Sequence, residues 1–193
     1  MATKAERRDA LVRAAIDVIG ERGLTATRVA DIAERAGISP GHVLYYFEGK
    51  AEIFTRALRT IEDDLRAEAL VAFEQRPSAA DRWEWLVDRA APTGPGDSRL
   101  LLWLEAWERA PREPDVAAVL VELERGWAGL LTDVVEYGRS TGEFHVDDTE
   151  DFAVRFSAMM DGLTIQVVVG LPTLDRERML EICMRVSRAE LGI

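Results

Sequence analysis

The stretch from residue 27 to residue 54 reads TRVADIAERAGISPGHVLYYFEGKAEIF. It holds two short apolar patterns of helical period, a glycine between them and an aromatic cluster at the end. Thr27 can cap a helix over roughly 28–36, and Gly37 closes it. Ser39 can cap the next helix, about 40–47, with Pro40 at the first position, where its missing N–H costs nothing. Ala33 is small enough for two helices to cross closely. Gly37, four residues on, suits the positive φ that ends one helix and turns the chain. Ile32, Ala36 and Val43 fill the shared core. The spacing predicts a helix–turn–helix whose second helix can lie in a major groove of DNA.

On that geometry Ser39, Pro40, Gly41 and His42 open the helix that faces the groove, with helix-end N–H groups near phosphates. Gly41 leaves the sugar-phosphate wall room to approach. His42 can donate or accept at a base edge. Tyr45 and Tyr46 carry hydroxyls on rigid rings, suited to phosphate. Lys50, at the start of the following helix, and Thr27 and Arg28, on the other side, offer further phosphate contacts. The bland reading of the same spacing is a helical hairpin with a glycine turn.

The tail of the stretch separates the two. Thr27, Asp31-Ile32-Ala33, Ala36-Gly37, Ser39, Gly41, Tyr45-Tyr46-Phe47 and Lys50, followed by Ile53-Phe54, together resemble the TetR family of bacterial transcriptional regulators. The resemblance implies a small DNA-binding head on a larger helical body that binds a small molecule and dimerises. Leu44 departs from the pattern: the family usually has an aromatic there, commonly touching phosphate, and leucine has no hydrogen bond to offer. In the body, LWLEAWERAPREPDVAAVL (102–120) and GRSTGEFHVDD (138–148) look like the subgroup that contains a choline-responsive repressor. The run MMDGLTIQVVVG (159–170) is similar to the family's dimer-forming helices.

The 193 residues carry a net charge of −11. Residues 1–50 hold eight Lys/Arg against seven Asp/Glu, a balance of +1, which leaves −12 on the remainder. DNA contact by the head is therefore permitted, and the body is a poor partner for nucleic acid. One cysteine, Cys183, excludes an intrachain disulfide and fits a reducing compartment. The N-terminal MATKAERRDA has no apolar core of the signal-peptide kind. The most apolar stretch, 156–171, is too short and too polar to span a bilayer. A cytoplasmic protein without a membrane partner is expected.

Helical periods continue along the chain, with breaks at Gly23, Glu48-Gly49, Arg76-Pro77, the loop APTGPGD (91–97), Pro111–Pro114, TGEFHVDD (141–148) and Gly170-Leu171-Pro172. The expected fold is all-α with about nine helices. A three-helix helix-turn-helix head over 1–50 precedes a ligand-binding and dimerisation body over 51–193.

Five tryptophans mark the body, with Trp103 and Trp107 four apart on one helical face. Trp83, Trp103, Trp107, Trp127, Phe156, Met159 and Met160 are candidates to line an effector pocket. Carboxylates such as Glu105, Glu108 and Asp161 could complete a cage for an organic cation. The alternative is that these bulky residues are simply core. The last two helices are apolar on more than one face, which suggests a twofold interface through Leu163, Val167, Met179, Ile182 and Val186. The alternative there is burial within one protomer.

Nothing points to an enzyme. His145 stands alone in an acidic loop, Cys183 reads as a buried small hydrophobe, and neither GxSxG, a phosphate-cradling glycine loop nor HExxH occurs. No metal and no cofactor is expected beyond an unidentified small-molecule effector. The expected function is a ligand-responsive regulator, most simply a repressor, that binds near-palindromic double-stranded operator DNA as a homodimer. A ligand-binding helical module without sequence-specific DNA function is the alternative.

Overall fold

The computed structural model describes residues 3–193. Among them the chain forms nine helices and no strand: α1 (Lys4–Ala26), α2 (Val29–Arg35), α3 (Pro40–Tyr46), α4 (Lys50–Glu74), α5 (Ala79–Ala90), α6 (Ser98–Arg109), α7 (Pro114–Thr141), α8 (Thr149–Val168) and α9 (Arg176–Leu191). The all-α expectation and the helix boundaries agree within a residue or two for most elements. Gly23 leaves helical geometry (φ 75°, ψ 155°), and one further turn carries α1 on to Ala26.

Two compact units emerge, divided within α4 and α7. The first comprises the residues up to Ile61 with Gly96–Val121, and the second Glu62–Pro95 with Glu122–Ile193. Within the first unit α6 packs on α1. Gly20 makes that crossing possible: a Cβ there would lie 2.2 Å from Ser98 Cβ and 2.7 Å from its Cα. At the far end of α6, Arg109 Nη2 donates to Thr25 Oγ1 at 2.8 Å and to Glu105 Oε1 at 2.8 Å.

The second unit is built around Trp83, which is fully buried. Its ring centroid lies 4.8 Å from that of Phe156 and 5.5 Å from that of Phe152, contacts of a kind worth about 0.5–1.5 kcal/mol beyond the area they bury. Its indole N–H, which would be unfavourable to bury alone, donates to Ser187 Oγ at 2.8 Å. Helix α5 is anchored from the loop after α7. The Glu143 carboxylate accepts the N–H of Ala79 at 2.9 Å and the Ser78 hydroxyl at 2.9 Å, at the helix end where a negative charge is favoured. The backbone N–H of Ala79 holds that carboxyl below the usual range.

Candidate nucleic-acid interface and effector region

The α2–α3 turn is fixed by backbone hydrogen bonds. Gly37, at φ 70°, lets Ile38 N–H reach Ala33 O (3.0 Å) and its own N–H reach Glu34 O (3.1 Å), the paired closure of a Schellman end. Asp31 holds the start of α2: it accepts from Arg28 N–H at 2.7 Å and pairs with Arg22 of α1 at 3.1 Å. Arg35 pairs with Glu21 at 2.7 Å from the other end of α2. On α3, Val43 and the following Phe47 are buried, four residues apart, so the opposite face is free. That face presents Gly41, His42, Leu44 and Tyr45, all exposed, with Tyr45 at 67% and Leu44 at 57%.

Lys4 and Arg7 of α1 join Ser39, Gly41, His42, Tyr45 and Tyr46 around an open groove of about 550 Å³. The Lys4 ammonium sits 4.9 Å from the Tyr45 ring centre, and the Tyr45 and Tyr46 rings meet edge to face at 5.1 Å. Ser39 Oγ lies 3.4 Å from His42 Nδ1. Pro40 occupies the first position of α3 and is exposed. Lys4 and Arg7 lie outside the 27–54 motif. Their signal was the basic character of the first turns, TKAERR, which becomes local to α3 only in three dimensions.

Two expected phosphate donors have other partners. Thr27 is buried, and its hydroxyl donates to Gly23 O at 2.8 Å. It closes α1, whereas Arg28 is the residue that caps α2. The Lys50 ammonium donates to the carbonyls of Leu24 (2.5 Å), Thr27 (2.9 Å) and Thr25 (3.3 Å). Carbonyls left open at a helix end attract a cation, and Lys50 satisfies that need at the end of α1.

A sequence profile of bacterial regulatory proteins of the tetR family matches residues 11–57. A second profile, the C-terminal region of the BetI-type transcriptional repressor, matches residues 79–192. The chain belongs to the TetR family, with a BetI-type C-terminal region. The HTH-type transcriptional regulator BetI of Rhizobium meliloti (strain 1021) is 32% identical over 166 residues, covering 83% of this chain and 77% of that protein. BetI of Escherichia coli (strain K12) is 27% identical over 176 residues, covering 89% and 87%. A crystal structure of a candidate transcriptional regulator from Saccharomonospora viridis in complex with choline superposes with a TM-score of 0.87 at 25% identity, covering 97% of this chain and 98% of that one. These relatives are transcriptional regulators and not enzymes, and the helix-turn-helix of this TetR-family chain is its DNA-binding element.

The expected pocket residues separate. Trp103 and Trp107, ring centres 6.2 Å apart and half-buried, belong to the first unit. Trp83, Phe156 and Met160 are buried in the core of the second unit. Trp127 and Met159 are half-buried beside that core, and Trp127 Nε1 donates to Ser157 Oγ at 3.0 Å. The expected dimer residues differ in exposure. Val167 and Met179 are 1% and 0% exposed inside the second unit. Leu163, Ile182 and Val186 are half-buried. The outward stripe of α8 is Val154, Ala158, Gly162 and Ile165, continued by Val169 at its end, at spacings of four, four, three and four. Both stripes carry the helical period. Only packing decides which one faces the protomer's own core.

Proposed function

We propose that this TetR-family regulator is a repressor that binds a near-palindromic operator as a homodimer and releases it when a small organic cation occupies its body. The groove that Lys4 and Arg7 share with Ser39, Gly41, His42, Tyr45 and Tyr46 supports the DNA reading most directly. Cations beside an exposed, tyrosine-bearing helix suit phosphate contact, while Gly41 and His42 stand at the position of base edges. Arg28 and Pro40 belong to the same proposed contact set, and residues 1–50 carry the DNA-binding function. The exposed apolar stripe of α8, with small residues at Ala158 and Gly162, supports a twofold interface. Two recognition helices then enter successive major grooves, about one turn of the duplex apart. An effector acts by preferring the head spacing that does not fit the operator. Choline, bound by the Saccharomonospora viridis neighbour, indicates the chemical class. The protein works in the cytoplasm, where its operator lies.

The test is selection from a random duplex library with purified full-length protein at fixed near-physiological salt. An enriched inverted repeat, released on adding choline, is the expected result. No enrichment by folded, effector-free dimer would end the operator reading.

A further inference from the structure

One carboxylate oxygen of the second unit is buried without a hydrogen bond. Glu62 of α4 is 7% exposed, and its Oε1 accepts no hydrogen bond. A carboxylate stripped of water and left unpaired is unfavourable, and proteins keep such groups where something else supplies the missing contact. Arg66, one turn along α4, does not supply it: Nη2 donates to the Gly126 carbonyl of α7 at 2.8 Å. Gly126 also keeps space beside the pair. A Cβ there would lie 3.4 Å from Glu62 Oε1 and 3.2 Å from Arg66 Nη2. The charge of Glu124 on α7 bears on both Glu62 and Asp161 of α8 and raises each. Trp127, one turn from Glu124, reaches Ser157, one turn from Asp161, so its indole borders the same α7–α8 seam.

We propose that Glu62, Glu124 and Asp161 form the binding site of an organic ammonium monocation, with Glu62 Oε1 as its direct partner and Trp127 along its edge. This rests on the effector reading above and assigns the effector's charge to particular side chains. A hard metal ion would require six or more oxygen ligands, whereas an alkylated ammonium needs one or two carboxylates and an aromatic surface. Burial raises Glu62 to about 7, with Asp63 and Glu124 adding to the rise and Arg66 opposing it. Burial and then Glu124 raise Asp161 to about 7. Near neutral pH the empty site therefore holds protons, which an entering cation must displace. Affinity rises as pH rises through 7.

Calorimetric titration of the full-length protein tests this, with choline, tetramethylammonium, potassium chloride and the neutral choline isostere 3,3-dimethylbutan-1-ol as probes. Both ammonium ions bind, more tightly at about pH 8 than at about pH 6, and neither potassium nor the alcohol competes. Glu62→Gln weakens choline about thirtyfold or more, and Asp161→Asn weakens it in the same direction. Thermal melting without ligand confirms that each variant folds, since each loses a charge the empty fold disfavours. Wild-type affinity in both variants would overturn the proposal, and so would equal binding of the alcohol, or displacement by potassium. Should the wild type select an operator yet bind no ammonium ion, this site falls and the regulator reading stands. Should choline bind through Glu62 with no operator selected, the reverse holds.

Discussion

At the residue scale, the charged groups have separated into those that hold the fold and those it disfavours. The folded-state values of Glu62 and Asp161, about 7, lie above the ordinary 4.5 and 3.8. The fold therefore binds protons there more tightly than the unfolded chain does. The resulting stability is complete below the unfolded values and is lost as pH rises to about 7. Glu143 has the opposite sign: its lowered value contributes stability that is present above the ordinary 4.5 and lost as pH falls. The effector-free protein is expected to lose stability from mildly acid to mildly alkaline pH, and Glu62→Gln to flatten that slope. Urea melts across the range measure it, and parallel profiles for the two proteins would contradict it. Lys50 belongs to the groups that hold the fold. Lys50→Ala leaves the carbonyls that close α1 without their donor, and the DNA-free protein should lose about 1–3 kcal/mol in a denaturant melt. A residue serving only phosphate would leave that melt unchanged. Lys4 and Arg7 lie on α1's exposed first turns. Replacing either by alanine is expected to weaken all duplexes alike and lower the salt slope by about one phosphate; an unchanged slope would remove it from the interface.

At the element scale, two glycines act for different reasons. Gly37 takes a backbone conformation that turns α2 into α3, and the sequence marks it by its place after a short amphipathic pattern. Gly20 is ordinary in its backbone, and its role is to be thin where α6 crosses α1. Gly20→Val should destabilise the protein by about 1–3 kcal/mol or more, because the atoms in the way include Ser98 Cα and carbonyl, which cannot rotate aside. Thermal melting and operator titration on the same samples would check it, and a variant as stable as wild type would show that the α1–α6 crossing yields easily. Nothing in the local sequence around Gly20 announces the role, since the partner lies nearly eighty residues further on.

At the scale of the whole molecule, the acidic charge and the DNA-binding head are compatible because they are carried by different parts of the chain. The assembly proposal depends on α8's outward stripe. Ile165→Asp should convert dimer to monomer in sedimentation equilibrium and make operator binding at least about tenfold weaker, because each head then binds alone. A monomeric wild type, or a variant that stays dimeric, would exclude this stripe as the interface.

The sequence by itself determined the all-α class, the helix-turn-helix and the family, because these depend on periodicity, caps and turn residues that act within a few positions of each other. Gly37, Ser39-Pro40 and the aromatic cluster at 45–47 are of that kind. Tertiary structure alone decided the rest. It set Lys50 against the end of α1, buried Val167 and turned Ile165 outward, placed Trp83 in the core and brought Lys4 to Tyr45. It left Oε1 of Glu62 on α4 buried without a hydrogen bond beside Gly126 of α7. Each of these is a contact between residues distant in sequence, or a choice between two helical stripes of equal period, and only the packing of one helix on another distinguishes them.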